Sequence, residues 1–116
     1  MIKTKSIYQE KEKGDGTRIL ITRFYPRGVK KTKFDLWIRG ASPEKDLLKK
    51  YRSGKISWVQ FSKKFKEQLY NLEESKNAMK QISETAKRKN VTLLCYEKEG
   101  ENCHRIIVKS VLDKQT

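Results

Sequence analysis

Two segments of this chain read as buried β-strands, and almost everything between them has helical period. "TRILITRFY" (17–25) places Ile19, Ile21 and Arg23 on one face and Leu20, Thr22 and Phe24 on the other, while "VTLLCYE" (91–97) is nearly continuous in apolar residues. Strands of this kind are covered on both sides, as in parallel sheets. A long helical excursion joining two strands of one sheet is a right-handed crossover, which makes the two strands parallel.

The excursion divides into helices by its own signals. "TKFDLWIRG" has Phe34, Trp37 and Ile38 at i, i+3 and i+4, which predicts a short helix closed by Gly40. "SPEKDLLKKY" supplies Ser42 as N-cap, Pro43 at the first helical position and Glu44 in the first turn, with Gly54 as the stop. In "SWVQFSKKFKEQLYNL", Ser57 and Gln60 form a capping box ahead of a stripe of Trp58, Phe61, Phe65, Leu69 and Leu72, which reads as core. "EESKNAMKQISETAKRKN" turns Met79, Ile82 and Ala86 inward and offers Asn90 as a C-cap. Residues 103–113 form a last helix with Ile107, Val108, Val111 and Leu112 inward and Asn102 as N-cap. At the start, "IKTKSIY" is a further strand, followed by a charged loop with a Gly-Asp-Gly turn. The expected fold is α/β, a small mainly parallel sheet of about three strands covered by about five helices, with residues 1–116 as a single domain.

Charge narrows the partners. The 116 residues carry a net charge of +14, and residues 23–66 hold 14 Lys/Arg against 3 Asp/Glu, so one stretch dominates the field. Such a field attracts phosphorylated small molecules or nucleic acid, and it also serves solubility. No window approaches the roughly 20 apolar residues of a membrane span, and the N-terminus has no signal-like apolar stretch. The expectation is a cytoplasmic protein with no membrane partner. Two cysteines are too few for a disulfide scaffold, so each is read by its local setting.

In open α/β sheets the ligand sits beyond the carboxyl ends of the strands. Here those ends carry "RFYPRG" (23–28) and the segment from Cys95 to Glu97, with Cys103, His104 and Arg105 in the first turn of the last helix. A helix N-terminus favours anions and lowers the pKa of a cysteine placed there. Cys103 is therefore a candidate nucleophile, and His104, the lone histidine, a candidate acid or base. The plainer alternatives are an apolar filler for Cys103 and a carbonyl-bonded imidazole for His104, since consecutive helical residues point about 100° apart. Arg23 and Arg27 suit bidentate anion binding, and Gly28 allows positive φ or close backbone approach; Arg23 equally suits an internal pair with Asp15 or Glu97. A zinc site ranks lower: Cys95 and Cys103 lack short ligand spacing, and a set would need His104 and a carboxylate such as Glu97. A Cys95–Cys103 redox pair also ranks below the anion site, because no Cys-x-x-Cys is present. No cofactor and no metal are assigned.

The motifs "DGTRILITRFYPRG" (15–28), "SWVQFSKKFKEQL" (57–69) and "LLCYEKEGENCHR" (93–105) together resemble the widespread prokaryotic domain of unknown function 488, which includes YeaO-like proteins. The resemblance extends over nearly the whole chain and implies a small single-domain α/β protein, with no reaction attached. Its motif positions map onto Arg23, Pro26, Arg27, Gly28, Trp58, Glu97, Cys103, His104 and Arg105, which adds Glu97 to the ligand-binding set. YeaO-like members tend to read Asp-Arg-x-Trp-Pro-Arg-Gly, so Thr22 and Tyr25 are departures. Some relatives keep the histidine and lack the cysteines, which shifts weight from Cys103 to Arg23, Arg27 and His104.

The functional expectation is an anion pocket at the strand ends for a phosphorylated small molecule or nucleotide. Arg23, Arg27 and Arg105 would hold the anion, with His104 as acid or base and Cys103 as an optional nucleophile. A non-catalytic nucleic-acid or regulatory module on residues 23–66 is the alternative, and a thiol redox or metal site at Cys95 and Cys103 the third. Oligomeric state and sheet order stay open.

Overall fold

In a computed structural model, which describes residues 1–98 and 101–114, the strands form one parallel sheet. The middle of the polar loop before the last helix, Glu99 and Gly100, lies outside the described residues. β1 (Ile2–Ser6), β2 (Thr17–Leu20), β3 (Leu36–Trp37) and β4 (Val91–Cys95) lie in the order β1-β4-β2-β3. All the pairings are parallel, with Ile19 opposite both Leu93 and Leu36, and Ser6 opposite Cys95. β4 arrives last in the chain and enters between β1 and β2, so its carboxyl end is flanked by the ends of both.

The alternation expected along β2 and β4 divides the two faces. Ile19, Ile21, Val91, Leu93 and Cys95 join the large apolar cluster with Phe61, Phe65, Leu69, Met79, Ile82, Val108 and Leu112. That face is covered by the helices α1 (Lys45–Arg52), α2 (Trp58–Asn71), α3 (Glu73–Arg88) and α4 (His104–Lys114). The other face carries Ile7, Leu20 and Leu94, over which the irregular segment after β2 lays Val29, Phe34 and Trp37. Its remaining positions are polar and ionic, with Lys3, Lys5 and Arg18 gathered on the buried carboxylate of Asp15.

Four local expectations change. Residues 34–38 do not form a helix: Leu36–Trp37 is a strand, because the open edge of β2 takes them. Asp35 N donates to Arg18 O and Ile38 N to Leu20 O, both at 2.8 Å, so the sheet satisfies backbone groups that one helical turn would leave free. The helix expected from Ser42 begins at Lys45 with Glu44 before it. Ser42 and Pro43 are instead pinned in extended form, since the Ser42 carbonyl accepts from Gln68 Nε2 (2.9 Å) and Gln68 Oε1 accepts from Glu44 N (3.0 Å). Cys103 takes the position before α4 that was expected for Asn102. At the end of α3 the cap is Lys89, while the Asn90 carbonyl accepts from Thr17 N. Gly16, at φ 64°, makes that approach possible; a Cβ there would lie 2.1 Å from Asn90 O.

The α2 capping box is present as read, with Gln60 N donating to Ser57 Oγ at 3.1 Å and Ser57 N to Gln60 Oε1 at 2.9 Å. Phe61, Phe65 and Leu69 follow it into the core. Through α2, the sequence thus fixes the wall that faces the end of β4.

Candidate functional site: a thiol, imidazole and carboxylate cluster at the end of β4

β4 ends at Cys95, whose parity sends its side chain to the helix-covered face, where it is fully buried. The chain leaves the sheet through Tyr96 and Glu97 and returns at Cys103, directly ahead of α4. Arg105 holds this segment in place. Its buried guanidinium donates to the carbonyls of Glu97 (2.7 Å) and Lys98 (3.1 Å), which no strand partner satisfies.

His104 is 7 % exposed and packs edge-on against Phe65, with ring centroids 5.7 Å apart. Its Nε2 meets the Ile21 carbonyl. A carbonyl can only accept, so Nε2 carries the hydrogen, and Cys95 Sγ lies beside the ring, 3.6 Å from Nε2. Nδ1 lies 3.8 Å from Cys95 Sγ and 3.9 Å from Cys103 Sγ. The ligand-type atoms of Cys95, Glu97, Cys103 and His104 all lie within 4.8 Å of one another.

The protonation of the cluster follows from burial and proximity. Burial pushes the Cys95 thiol up, and the neighbouring Cys103 pushes it further. For Cys103, burial also acts upward. Hydrogen bonds with Cys95 and His104, the His104 charge and the Arg105 backbone N–H outweigh it, and the thiol is lowered. Burial, then the charge of Cys103, raises the Glu97 carboxyl to about 7. Among the described residues its Oε1 is buried without a hydrogen-bond partner. The centre therefore holds one thiolate-forming cysteine, one thiol and a carboxyl that exchanges its proton near neutrality.

A cavity of about 40 Å³ opens onto this cluster. Its walls include Thr22, Tyr51, Arg52, Trp58, Phe61 and Tyr96, and Glu97, Cys103 and His104 face it from the sheet end. Tyr51, Trp58 and Phe61 form an aromatic patch with centroids 4.9–5.5 Å apart. The volume holds roughly two waters or one small functional group, so a nucleotide does not fit inside.

Of the expected site residues, the fold brings together Glu97, Cys103 and His104. It does not bring Arg27 and Gly28 to the cavity: both are exposed, and Gly28 takes the positive φ (75°) of its turn. Arg23 reaches the cavity wall, but its guanidinium donates to Pro43 O (3.2 Å) and Ser42 O (3.0 Å) and pairs with Glu74 at 3.2 Å. Its internal partner is thus Glu74 rather than Asp15 or Glu97. Arg105 serves the loop carbonyls. Among the described residues the free cation at the cavity is Arg52, which the sequence presented only as part of an amphipathic helix. Cys95 was legible as a residue at a strand end; that its side chain faces His104 depends on the packing of α4.

The fold and the cluster define a class: a small α/β protein with a parallel sheet and a thiol–imidazole–carboxylate centre at the carboxyl end of its inserted strand. The family model described as the active DUF488-N3 subclade matches residues 2–116, and the chain belongs to this family. It is 29 % identical over 109 residues to the uncharacterised protein YeaO of Escherichia coli strain K12, covering 92 % of each chain. It is 20 % identical over 114 residues to an uncharacterised protein of Mycobacterium tuberculosis strain H37Rv, covering 97 % of this chain and 93 % of the relative. No solved structure matches. Among the described residues no helix is long and apolar enough to cross a membrane.

Proposed function

We propose that the protein is an enzyme in which the Cys103 thiolate attacks a carbon electrophile on a small anionic substrate. The observation that carries this reading is that Cys103, and not Cys95, lines the cavity, with His104 Nδ1 3.9 Å from its sulfur. A lowered thiol beside an oriented imidazole is the arrangement an activated cysteine needs. The word "active" in the description of its family agrees with a working centre.

Each group has a role that its position supports. The sulfur lone pair forms the C–S bond, and the leaving group departs with its electron pair, taking the proton of the Glu97 carboxyl. A water then attacks the same carbon, gives its proton to the Glu97 carboxylate, and the thiolate leaves. The net change replaces the leaving group by hydroxyl. A Glu97 carboxyl near 7 suits both proton transfers. His104 is held by its Nε2–H on the Ile21 carbonyl and keeps Nδ1 beside the Cys103 sulfur. Only the reacting group enters the 40 Å³ cavity; the anionic remainder meets Arg52, with Lys45, Lys49 and Lys50 exposed on the same helix to draw it in.

Alkylation of the reduced protein with iodoacetamide, read by peptide mapping, tests the assignment. Cys103 is expected to react at least about tenfold faster than Cys95, and His104→Gln to remove most of that advantage. Equal rates at the two cysteines, or reaction only after addition of denaturant, refute it.

A further inference from the structure

The same cluster contains more soft donor atoms than nucleophilic chemistry uses. Cys95 is fully buried, does not line the cavity and forms no bond to substrate in the step above, where it only hydrogen-bonds Cys103, yet its sulfur lies 3.8 Å from His104 Nδ1. Glu97 Oε1 is one of two buried side-chain polar atoms without a hydrogen-bond partner among the described residues. We propose that Cys95, Glu97, Cys103 and His104 form a tetrahedral binding site for zinc.

The geometry matches in its main dimensions. Zinc–sulfur bonds of about 2.3 Å and zinc–nitrogen bonds of about 2.0 Å at tetrahedral angles separate sulfur from nitrogen by about 3.6 Å. The two sulfurs stand 3.8 and 3.9 Å from Nδ1, and Cys95 Sγ, which also lies 3.6 Å from Nε2, must turn about its Cα–Cβ bond toward the Nδ1 side to complete the set. The Nε2–H bond to the Ile21 carbonyl holds the His104 ring and leaves Nδ1 as its ligand atom, the outer-shell bond that metal-binding histidines characteristically make. Arg105 fixes the backbone that carries Glu97 and contributes a positive charge beside Cys95. Two thiolates, one carboxylate and one imidazole leave a loaded site with a formal charge of −1, which that guanidinium offsets. The two sulfurs select a borderline-soft tetrahedral ion such as zinc over magnesium or calcium, which take oxygen donors.

The inference rests on the cluster that the enzyme reading uses and adds its control. A metal bound to Cys103 Sγ occupies the lone pair that attacks substrate, so the zinc form is protected and the metal-free form reactive. The two readings separate through Cys95→Ser: the metal requires the Cys95 sulfur, whereas a serine hydroxyl still donates a hydrogen bond to the Cys103 thiolate.

The test uses Co²⁺ as a spectroscopic stand-in, added to the reduced, chelator-treated full chain, followed by Zn²⁺. The expected result is the strong visible absorption of tetrahedral cobalt with sulfur ligands, saturating at one ion per chain, lost on adding zinc, with Cys103 alkylation slowed at least about tenfold. Cys95→Ser is expected to weaken cobalt binding about a hundredfold or more while Cys103 still alkylates, since even outer-shell losses cost about 10–100-fold. Glu97→Gln, which keeps the side-chain volume, gives a second readout through a changed cobalt spectrum if Cys95→Ser fails to fold. No tetrahedral spectrum at any cobalt concentration up to the millimolar range, or a spectrum indifferent to both substitutions, overturns the metal site and leaves the alkylation result to decide the enzyme reading. Cobalt binding with Cys103 inert in the metal-free protein sinks the enzyme reading and keeps the metal.

Discussion

Replacing Asp15 by alanine is expected to cost about 3–5 kcal/mol of folding stability, because it strands a buried charge. The Asp15 carboxylate is fully buried and accepts from Lys3 (3.0 Å), Lys5 (3.1 Å) and Arg18, and from the backbone N–H of Glu12 at 3.1 Å. Lys3 and Lys5 have flexible stems and can turn toward water; Lys3 is already 37 % exposed. Arg18 cannot. It is 0 % exposed, its Nε is held by the Lys33 carbonyl, its Nη1 bonds only Asp15, and its Nη2 has no partner. Removing one member of a buried pair costs about 3–5 kcal/mol, and domains of this size total about 5–15 kcal/mol. With a urea dependence of about 2 kcal/mol per molar, the unfolding midpoint falls by about 2 M. The double variant Asp15→Ala/Arg18→Met removes the stranded charge and is expected to recover at least half of the loss. The pH dependence follows from the same contacts. Burial acts to raise the Asp15 carboxyl, but the Glu12 N–H and the three cations prevail and hold it well below the usual carboxylate range. A depressed carboxylate stabilises the fold above its unfolded value near 4 and loses that contribution as pH falls toward its folded value. The gap between wild type and Asp15→Ala must therefore shrink on acidification below about pH 4. A loss under about 1 kcal/mol at neutral pH, or a gap that does not shrink in acid, refutes the reasoning.

Two further outcomes test how the site is held. Arg105→Met removes the donors to the Glu97 and Lys98 carbonyls, and is expected to weaken Co²⁺ binding about tenfold with the far-ultraviolet circular dichroism retained; unchanged cobalt affinity would show that Arg105 does not position Glu97. Gly40→Ala drives a Cβ to 2.5 Å from Glu74 O and 2.9 Å from Ala78 Cβ, so α3 must move. A loss of about 1–3 kcal/mol, seen as a fall of roughly 4–12 °C in Tm, is expected, and an unchanged Tm contradicts that close approach.

Much of the fold was legible because its long elements repeat their signals. β2 and β4 carry strand alternation or continuous apolar runs, and α2 opens on a capping box ahead of Phe61, Phe65 and Leu69. The relation between β2 and β4 follows from the helices between them, and the parallel pairing of Ile19 with Leu93 realises it. β3 was not legible, since two residues have no period and Phe34, Trp37 and Ile38 fit a helix equally well. Its state is set by the neighbouring strand, through Arg18 O and Leu20 O, and no local signal reports that. The start of α1 was misread for a similar reason. Ser42 has the residue type of a cap, but Gln68, 26 positions away, claims its carbonyl.

The arginines at the strand ends show where sequence reading of a site runs out. A guanidinium near a predicted pocket suits a ligand anion, and nothing in its own neighbourhood says what it meets. Irregular segments that pack against a core leave carbonyls with no partner in the sheet or helices, and such groups must be bonded. Ser42, Pro43, Glu97 and Lys98 contribute four of these, and Arg23 and Arg105 are the donors that reach them. Both arginines therefore shape the site by fixing its loops. Residues with one short, directional side chain fare better. Cys103 and His104 sit at a helix start whose position the apolar period of α4 determines, so their placement at the strand ends was legible, while the orientation of the His104 ring beside the two sulfurs required the Ile21 carbonyl, 83 residues earlier in the chain.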